Sequence, residues 1–154
     1  MPIKAQQVKE LRDRSGVGMM DCKKALVESN GDFEVAIDVL RKKGQKVAAK
    51  RADREAIEGV VIAATNEGNT KAIIVSLNCE TDFVAKNDDF INFVKELSDI
   101  NNSCDSNLED LKKKTMKDAK TVEASLVALI AKMGEKITVG RAKTFKHSGS
   151  KNFN

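Results

Sequence analysis

The chain has 154 residues and a mass of 16.9 kDa, which allows one ordinary domain, or a small domain followed by a medium one, and excludes a large enzyme. Its 27 basic and 23 acidic side chains give a net charge of +4, far from the charge density of a dedicated nucleic-acid coat protein. The charge is uneven, because residues 1–54 carry 13 basic and 8 acidic side chains, whereas the remainder carries 14 and 15. We therefore expect two parts with different surfaces.

The same composition bears on the cellular compartment. No apolar run approaches the roughly 20 residues that a membrane-spanning helix needs, and the N-terminus lacks the apolar core of a signal peptide. Cys22, Cys79 and Cys104 are odd in number and widely spaced, which does not fit a disulfide framework and is typical of a reducing compartment. We expect a cytoplasmic protein.

Three short amphipathic helices are predicted in the first 43 residues. Apolar residues recur at helical spacing near residues 4–15, 20–29 and 33–43, namely Val8, Leu11, Cys22, Ala25, Leu26, Phe33, Ala36, Ile37 and Leu40. Gly16, the pair Asn30-Gly31 and Gly44 are the predicted helix ends, and Asp32 is the predicted N-cap of the third helix. Residues 1–43 are therefore predicted to form a compact three-helix domain.

A basic segment follows the third helix. Residues 41–54 contain seven basic side chains and one acid, Asp53, interleaved with Val47 and alanines. Such side chains can hold phosphates, but the segment has no aromatic residue on which a base could stack. We therefore predict a solvated, helical linker over residues 44–55, and nucleic acid is disfavoured as a partner, with a helical nucleic-acid-binding adaptor kept as an alternative function.

The hydrophobic period shortens after Gly59. Two β-branched runs, 60–65 and 71–77, flank a turn-rich segment of five residues, which predicts an antiparallel hairpin. Residues 136–139 are a candidate third strand pairing with it. Helices are predicted from Asp88, with the acidic pair Asp88-Asp89 as cap, near 108–114, and from Thr121 to Gly134. The predicted fold class is α+β, with a core over residues 56–145 and a polar, disordered tail over 146–154.

The sequence lacks the patterns of a catalytic or metal site. The single histidine, His147, lies in the predicted tail without a partner for acid–base chemistry. The cysteines show no zinc-ligand spacing, and neither nucleotide-binding glycine motif is present. We expect no enzyme activity, no metal and no cofactor.

Two segments have the features of binding surfaces. Met19 and Met20 lie at a glycine-rich corner between helices, where flexible side chains suit a moulded contact; burial of one of the two in the core is an equally open expectation. The second segment, residues 79–87, joins a strand to a helix and places a carboxylate, an aromatic ring and an ammonium together. On general grounds alone, Phe83 is expected in the core and Asp82 as the cap of a turn.

Both segments carry a family resemblance. The run Val8-Lys9-Glu10-Leu11-Arg12-Asp13-Arg14-Ser15-Gly16-Val17-Gly18-Met19-Met20-Asp21-Cys22-Lys23-Lys24-Ala25-Leu26, then Asn30-Gly31-Asp32, and then Thr81-Asp82-Phe83-Val84-Ala85-Lys86-Asn87 closely resemble the bacterial elongation factor Ts family. The resemblance covers roughly residues 3–140. Residues 134–139 also look like the strand that closes the first half of the family's core.

The resemblance implies a fold and an activity. The fold is a three-helix domain like the ubiquitin-associated domain, followed by an α+β core with an antiparallel sheet. The activity is guanine nucleotide exchange on elongation factor Tu. The implied partner is this GTPase, both in its GDP-bound form and in its nucleotide-free form. An N-terminal anchor would contact the GTPase's nucleotide domain through Lys9, Arg12, Gly18, Met19 and Met20. A wedge would approach its magnesium site through Thr81, Asp82, Phe83, Val84, Lys86 and Asn87.

The chain is shorter than the family pattern. Members usually continue into a second core half, a helical hairpin used for dimerisation and a C-terminal segment. A family homodimer is therefore not carried over to this chain. A shortened module that binds elongation factor Tu, with weak or no exchange activity, is the other alternative.

Overall fold

A computed structural model of the protein describes residues 2–146, so His147 and the rest of the predicted tail lie outside the described residues. The fold is of the predicted α+β class. Its helices are α1 (Ala5–Ser15), α2 (Met19–Glu28), α3 (Phe33–Lys50), α4 (Asp82–Ala85), α5 (Asp88–Asn101), α6 (Leu108–Lys113) and α7 (Val122–Met133), and its strands are β1 (Glu58–Thr65), β2 (Lys71–Cys79) and β3 (Thr138–Lys146). None of the helices within residues 2–146 is both long and apolar enough to cross a membrane.

The first compact unit contains the three N-terminal helices. Within the described residues it extends to Arg54 and takes in Leu126–Lys136 from the later chain. Its core is aliphatic, and the fully buried members include Leu11, Cys22, Leu26 and Ala36. Two predicted helix boundaries are confirmed: Gly16 has a left-handed φ of 68° and donates its N–H to Arg12 O, and the Asp32 carboxylate accepts the Val35 N–H at 3.0 Å.

Helix α3 does not end at Gly44, and that prediction is wrong. The helix continues to Lys50, so the first seven residues of the predicted linker are helical. A Cβ at position 44 would lie 2.5 Å from the Val127 carbonyl oxygen. Glycine is therefore required there by the close approach of α7, and not by a change of backbone direction. The proposed domain division at residues 43 and 55 stays a prediction.

The second unit is built on a three-stranded antiparallel sheet of order β1-β2-β3. The predicted hairpin is confirmed, with Thr65 opposite Ala72 across its turn. The third strand is longer than the predicted 136–139, because pairing with β2 continues from Thr138 to Lys146. Ile73, Val75 and Leu77 point from β2 to the buried face, on which α5 packs.

The opposite face of this sheet is open to solvent and partly apolar. Alternate residues of a strand share a face, and directly opposed residues of neighbouring strands share it too. The register therefore places Val61 of β1, Ile74 of β2 and Phe145 of β3 on this same face, diagonally and not directly opposite one another. Their exposed fractions are 63%, 37% and 44%. Apolar side chains are thus grouped across all three strands.

Helix α5 is amphipathic, as its sequence predicts. Its apolar face buries Phe90, Phe93, Val94 and Leu97. The cap differs from the prediction, because Asn87 is the N-cap and accepts the Asp89 N–H at 2.9 Å. Asp88 and Asp89 lie in the first turn, where their negative charges interact favourably with the positive end of the helix dipole.

Candidate functional site

The segment that precedes α5 forms one helical turn, α4, where the sequence predicts only a connection. Thr81 is its N-cap, and the Thr81 hydroxyl oxygen accepts the Val84 N–H at 3.4 Å. The Thr81 carbonyl accepts both the Ala85 N–H and the Cys79 thiol at 3.2 Å. Because Val84 and Ala85 are buried, the turn is fastened to the unit on one side.

Burial of Val84 and Ala85 leaves Asp82, Phe83 and Lys86 on the solvent side of the turn. Phe83 is 84% exposed, more than any other large apolar residue among residues 2–146. The expectation from general grounds, with the ring in the core and Asp82 as a cap, is wrong, because Thr81 caps the turn and the neighbouring Val84 fills the inward position. A capped helical turn therefore holds an aromatic ring in water.

The Asp82 carboxylate is paired within the same turn. Lys86 Nζ lies 3.0 Å from Asp82 Oδ2, one helical turn along the chain. This hydrogen bond, together with the charge of Lys86, lowers the pKa of Asp82 below its ordinary value. Both side chains are exposed, so the pair is screened and a partner can replace either member.

The methionine corner of the first unit is also exposed. Met19 and Met20 begin α2, with Gly18 as N-cap, and their side chains are 43% and 65% exposed. The open expectation that one of them fills the core is therefore wrong. The residue before the cap, Val17, is only 2% exposed and donates its N–H to the Ser15 hydroxyl oxygen at 3.3 Å. The corner is pinned by Val17 and leaves both thioethers in solvent.

The other residues predicted to form the anchor lie on the solvent side of α1. Lys9 and Arg12 are exposed, whereas Val8 and Leu11 face the core. Cys22 lies behind the corner, fully buried, and burial raises the pKa of its thiol, which makes it unreactive at neutral pH. Among residues 2–146, no cluster of three or more His, Cys, Asp or Glu side chains is arranged to hold a metal ion.

Comparison with known proteins identifies the family. The elongation factor Ts of Christiangramia forsetii is 51% identical over 159 aligned positions, which cover 97% of this chain. The chain belongs to the elongation factor Ts family. The factor of Clostridium perfringens is 49% identical over 93% of the chain, and that of Chloroherpeton thalassium is 48% identical over 90%. The family model described as "Elongation factor TS" matches residues 80–154.

The match does not extend over the whole length of these factors. The aligned positions cover 57%, 48% and 50% of the three relatives. The chain therefore spans about half the length of the curated elongation factor Ts proteins that it matches.

The structure gives the residues of the 81–87 segment unequal roles, which sequence reasoning missed. Thr81 and Asn87 cap α4 and α5, and Val84 is a core residue, while Asp82, Phe83 and Lys86 are available to a partner. The signals for this division are present in the sequence. Thr and Asn are preferred N-caps, and the spacing of Asp82 and Lys86 is that of a helical ion pair.

Proposed function

We propose that this chain is a guanine nucleotide exchange factor: it binds elongation factor Tu with GDP and promotes release of the nucleotide during translation elongation in the cytoplasm. In this proposal the chain acts only by binding and supplies no catalytic group. Membership of the elongation factor Ts family supports the partner and the activity. The observation that carries the mechanism is the exposed Phe83 ring beside the Asp82 carboxylate on a capped turn.

Phe83 is the wedge in this mechanism. A side chain with an exposed ring loses unfavourable contact with water when it enters an apolar crevice, and a Phe side chain contributes about 1.5–3 kcal/mol on full burial. If that crevice opens only in the nucleotide-free GTPase, the gain favours the open state. Because α4 is already ordered by its cap, little conformational entropy is lost when the ring is inserted.

Asp82 would act beside the wedge on the magnesium site. A carboxylate brought near a bound cation and its waters competes for the hydrogen bonds that hold them. Loss of the cation removes the largest positive charge that neutralises the GDP diphosphate. In this mechanism Lys86 is the exchangeable partner that Asp82 gives up on docking.

The thermodynamic requirement is differential binding. If the factor binds the nucleotide-free GTPase more tightly than the GDP form, GDP must weaken the factor by the same ratio. A surface that binds both forms equally shifts nothing, however tightly it binds. We assign this nucleotide-independent grip to the anchor residues Lys9, Arg12, Gly18, Met19 and Met20.

The decisive experiment measures release of a fluorescent GDP analogue from elongation factor Tu after this chain is added. The proposal expects release to accelerate with chain concentration and to saturate. Complex formation without acceleration would refute the exchange activity.

A second candidate is a module that binds elongation factor Tu with weak or no exchange. The specific observation in its favour is that Met19 and Met20, which would supply a grip independent of nucleotide, are exposed in a different unit from Phe83. A full-length factor of the family, measured in the same assay, separates the two candidates. Equal affinity with much slower release by this chain would favour the binding module.

A further inference from the structure

Helices α2 and α3 of the first unit flank a groove of about 400 Å³ that the proposed exchange function does not use. Four lysines line it: Lys24 from α2, and Lys42, Lys43 and Lys46 from α3. Two acidic side chains, Asp21 and Glu28, also reach it. Its apolar lining includes the buried Ala25 and Leu40. The groove is therefore a basic channel with a small apolar base.

The lysines of α3 are regularly spaced. Lys42, Lys46 and Lys50 follow one another at four-residue intervals, which places them on one side of the helix at a rise of about 6 Å per step. Like charges at this spacing weaken a helix. Asp38, one step before Lys42 on the same row, offsets part of this repulsion, and an anion lying along Lys42 and Lys46 in the groove would offset more of it.

The existing ion pairs leave this charge available. Lys43 is bound to Asp21 at 2.5 Å and Lys42 to Asp38 at 2.8 Å, and both are surface pairs that an incoming anion can replace. Among residues 2–146, no carboxylate lies within 4.0 Å of the Lys24 or Lys46 ammonium. When an incoming anion opens one or both of these pairs, three or four cations can face one ligand.

We propose that this groove binds the phosphate backbone of a nucleic-acid strand. A row of ammonium groups along a channel matches a strand with one negative charge per nucleotide. An acidic protein is a poorer match, because the centres of protein interfaces are depleted in lysine. Among residues 2–146, the groove lining has no aromatic side chain on which a base could stack, so binding would depend on the phosphates alone and be independent of base sequence.

The test is fluorescence anisotropy of a labelled 20-nucleotide single-stranded RNA, titrated with the full chain at 25 and 100 mM NaCl. Three to four contacts on a single strand give a slope of about −2 to −3 in log K against log salt, because each contributes about −0.7. The fourfold increase in salt should therefore weaken binding by about 20- to 50-fold. The triple variant Lys24→Gln, Lys42→Gln, Lys46→Gln keeps one groove lysine, so its binding should be much weaker. The same fourfold increase in salt should weaken that residual binding by less than about 3-fold.

A matched control removes the same charge elsewhere. Lys95→Gln, Lys113→Gln and Lys117→Gln alter three exposed lysines of the second unit and should leave the affinity within about 2-fold, and far-UV circular dichroism checks that both variants fold. Equal loss in the two variants would mean diffuse attraction and would overturn the proposal. Displacement of the RNA by polyglutamate at the same charge concentration would assign the groove to acidic polypeptides and would also overturn it.

Discussion

Two phenylalanines seven positions apart in the chain have opposite environments and therefore different roles. Phe83 is 84% exposed, and Phe90 is fully buried under the sheet. Replacing Phe83 removes a side chain that stabilises little in the free protein, whereas replacing Phe90 opens a cavity in the core. Substitution of each residue therefore tests a different property.

Phe83→Ala should separate exchange from binding. We expect GDP release from elongation factor Tu to slow at least about 10-fold, which corresponds to about 1.4 kcal/mol, while affinity for the GDP form changes little. The free energy of unfolding should stay within about 0.5 kcal/mol. Met20→Ala should do the reverse and mainly weaken binding. If Phe83→Ala mainly weakens binding and Met20→Ala mainly slows GDP release, the division into wedge and anchor is wrong.

Phe90→Ala should destabilise the second unit by about 3–5 kcal/mol, because the cavity left in a packed core adds to the lost transfer free energy. Urea unfolding followed by circular dichroism measures the change. A loss below about 1 kcal/mol would mean that the core around α5 collapses to fill the space.

The Asp82–Lys86 pair predicts a titration. The pKa of Asp82 is lowered chiefly by the Lys86 hydrogen bond, so the pair's contribution is present above the ordinary pKa and is lost as pH falls through the lowered one. In Lys86→Gln, the pKa of Asp82 should rise toward its ordinary value of 3.8. Carboxyl-carbon NMR between pH 2 and pH 6 measures it.

Asp105 is the internal control for this titration. Its pKa is lowered by Lys146 and Lys71 instead. The Asp105 value should therefore be the same in Lys86→Gln and in the parent chain, and a shift of both carboxyls would point to a general change in the fold.

At the scale of elements, periodicity predicts those helices and strands that bury one face. The faces of α1, α2, α5 and the hairpin were predictable because each repeats apolar residues over several turns or alternations. Helix α4 was not, since four residues are too few to establish a period. The residues of β3 are only weakly apolar and do not by themselves predict a strand of this length. Its full length results from pairing with β2.

Gly44 illustrates the ambiguity of glycine in a helical pattern. In an exposed helix interior, Gly→Ala stabilises by about 0.5–1 kcal/mol. Here the added methyl group would meet Val127 O at 2.5 Å and Val127 Cγ1 at 2.8 Å, so Gly44→Ala should destabilise by about 1–3 kcal/mol in urea unfolding. Gly68→Ala, whose nearest neighbour is a Thr70 side chain 3.8 Å away, is the tolerated control. A gain in stability for Gly44→Ala would refute the close packing.

At the scale of the whole molecule, the uneven charge in the sequence coincides with two compact units. The first unit carries the basic groove and the methionine corner, and the second carries Phe83, the proposed wedge, and the partly open sheet. The charge asymmetry was predictable from counting residues. The groove was not, because lysines distant in sequence, Lys24 and Lys46, line it only after α2 and α3 pack together.

The open sheet face predicts dye binding. Grouped apolar side chains exposed to water bind the fluorophore ANS, so Val61→Thr with Ile74→Thr should lower its fluorescence while preserving the sheet. Val27→Thr with Val35→Thr, which changes two exposed helical valines of the first unit, is the matched control and should have little effect. Equal loss in both variants would place the dye elsewhere.

The caps at Thr81 and Asn87 change how a mutational scan of this region would have to be interpreted. An alanine at either position changes no partner-facing side chain, but it removes the cap that orients them. The exchange defect of such a variant would therefore resemble that of a variant at a contact residue. A scan scored by activity alone would therefore overstate the size of the interface. Protection of the Val84 and Asp89 amides from hydrogen exchange, measured beside the rate, distinguishes a lost contact from a lost orientation.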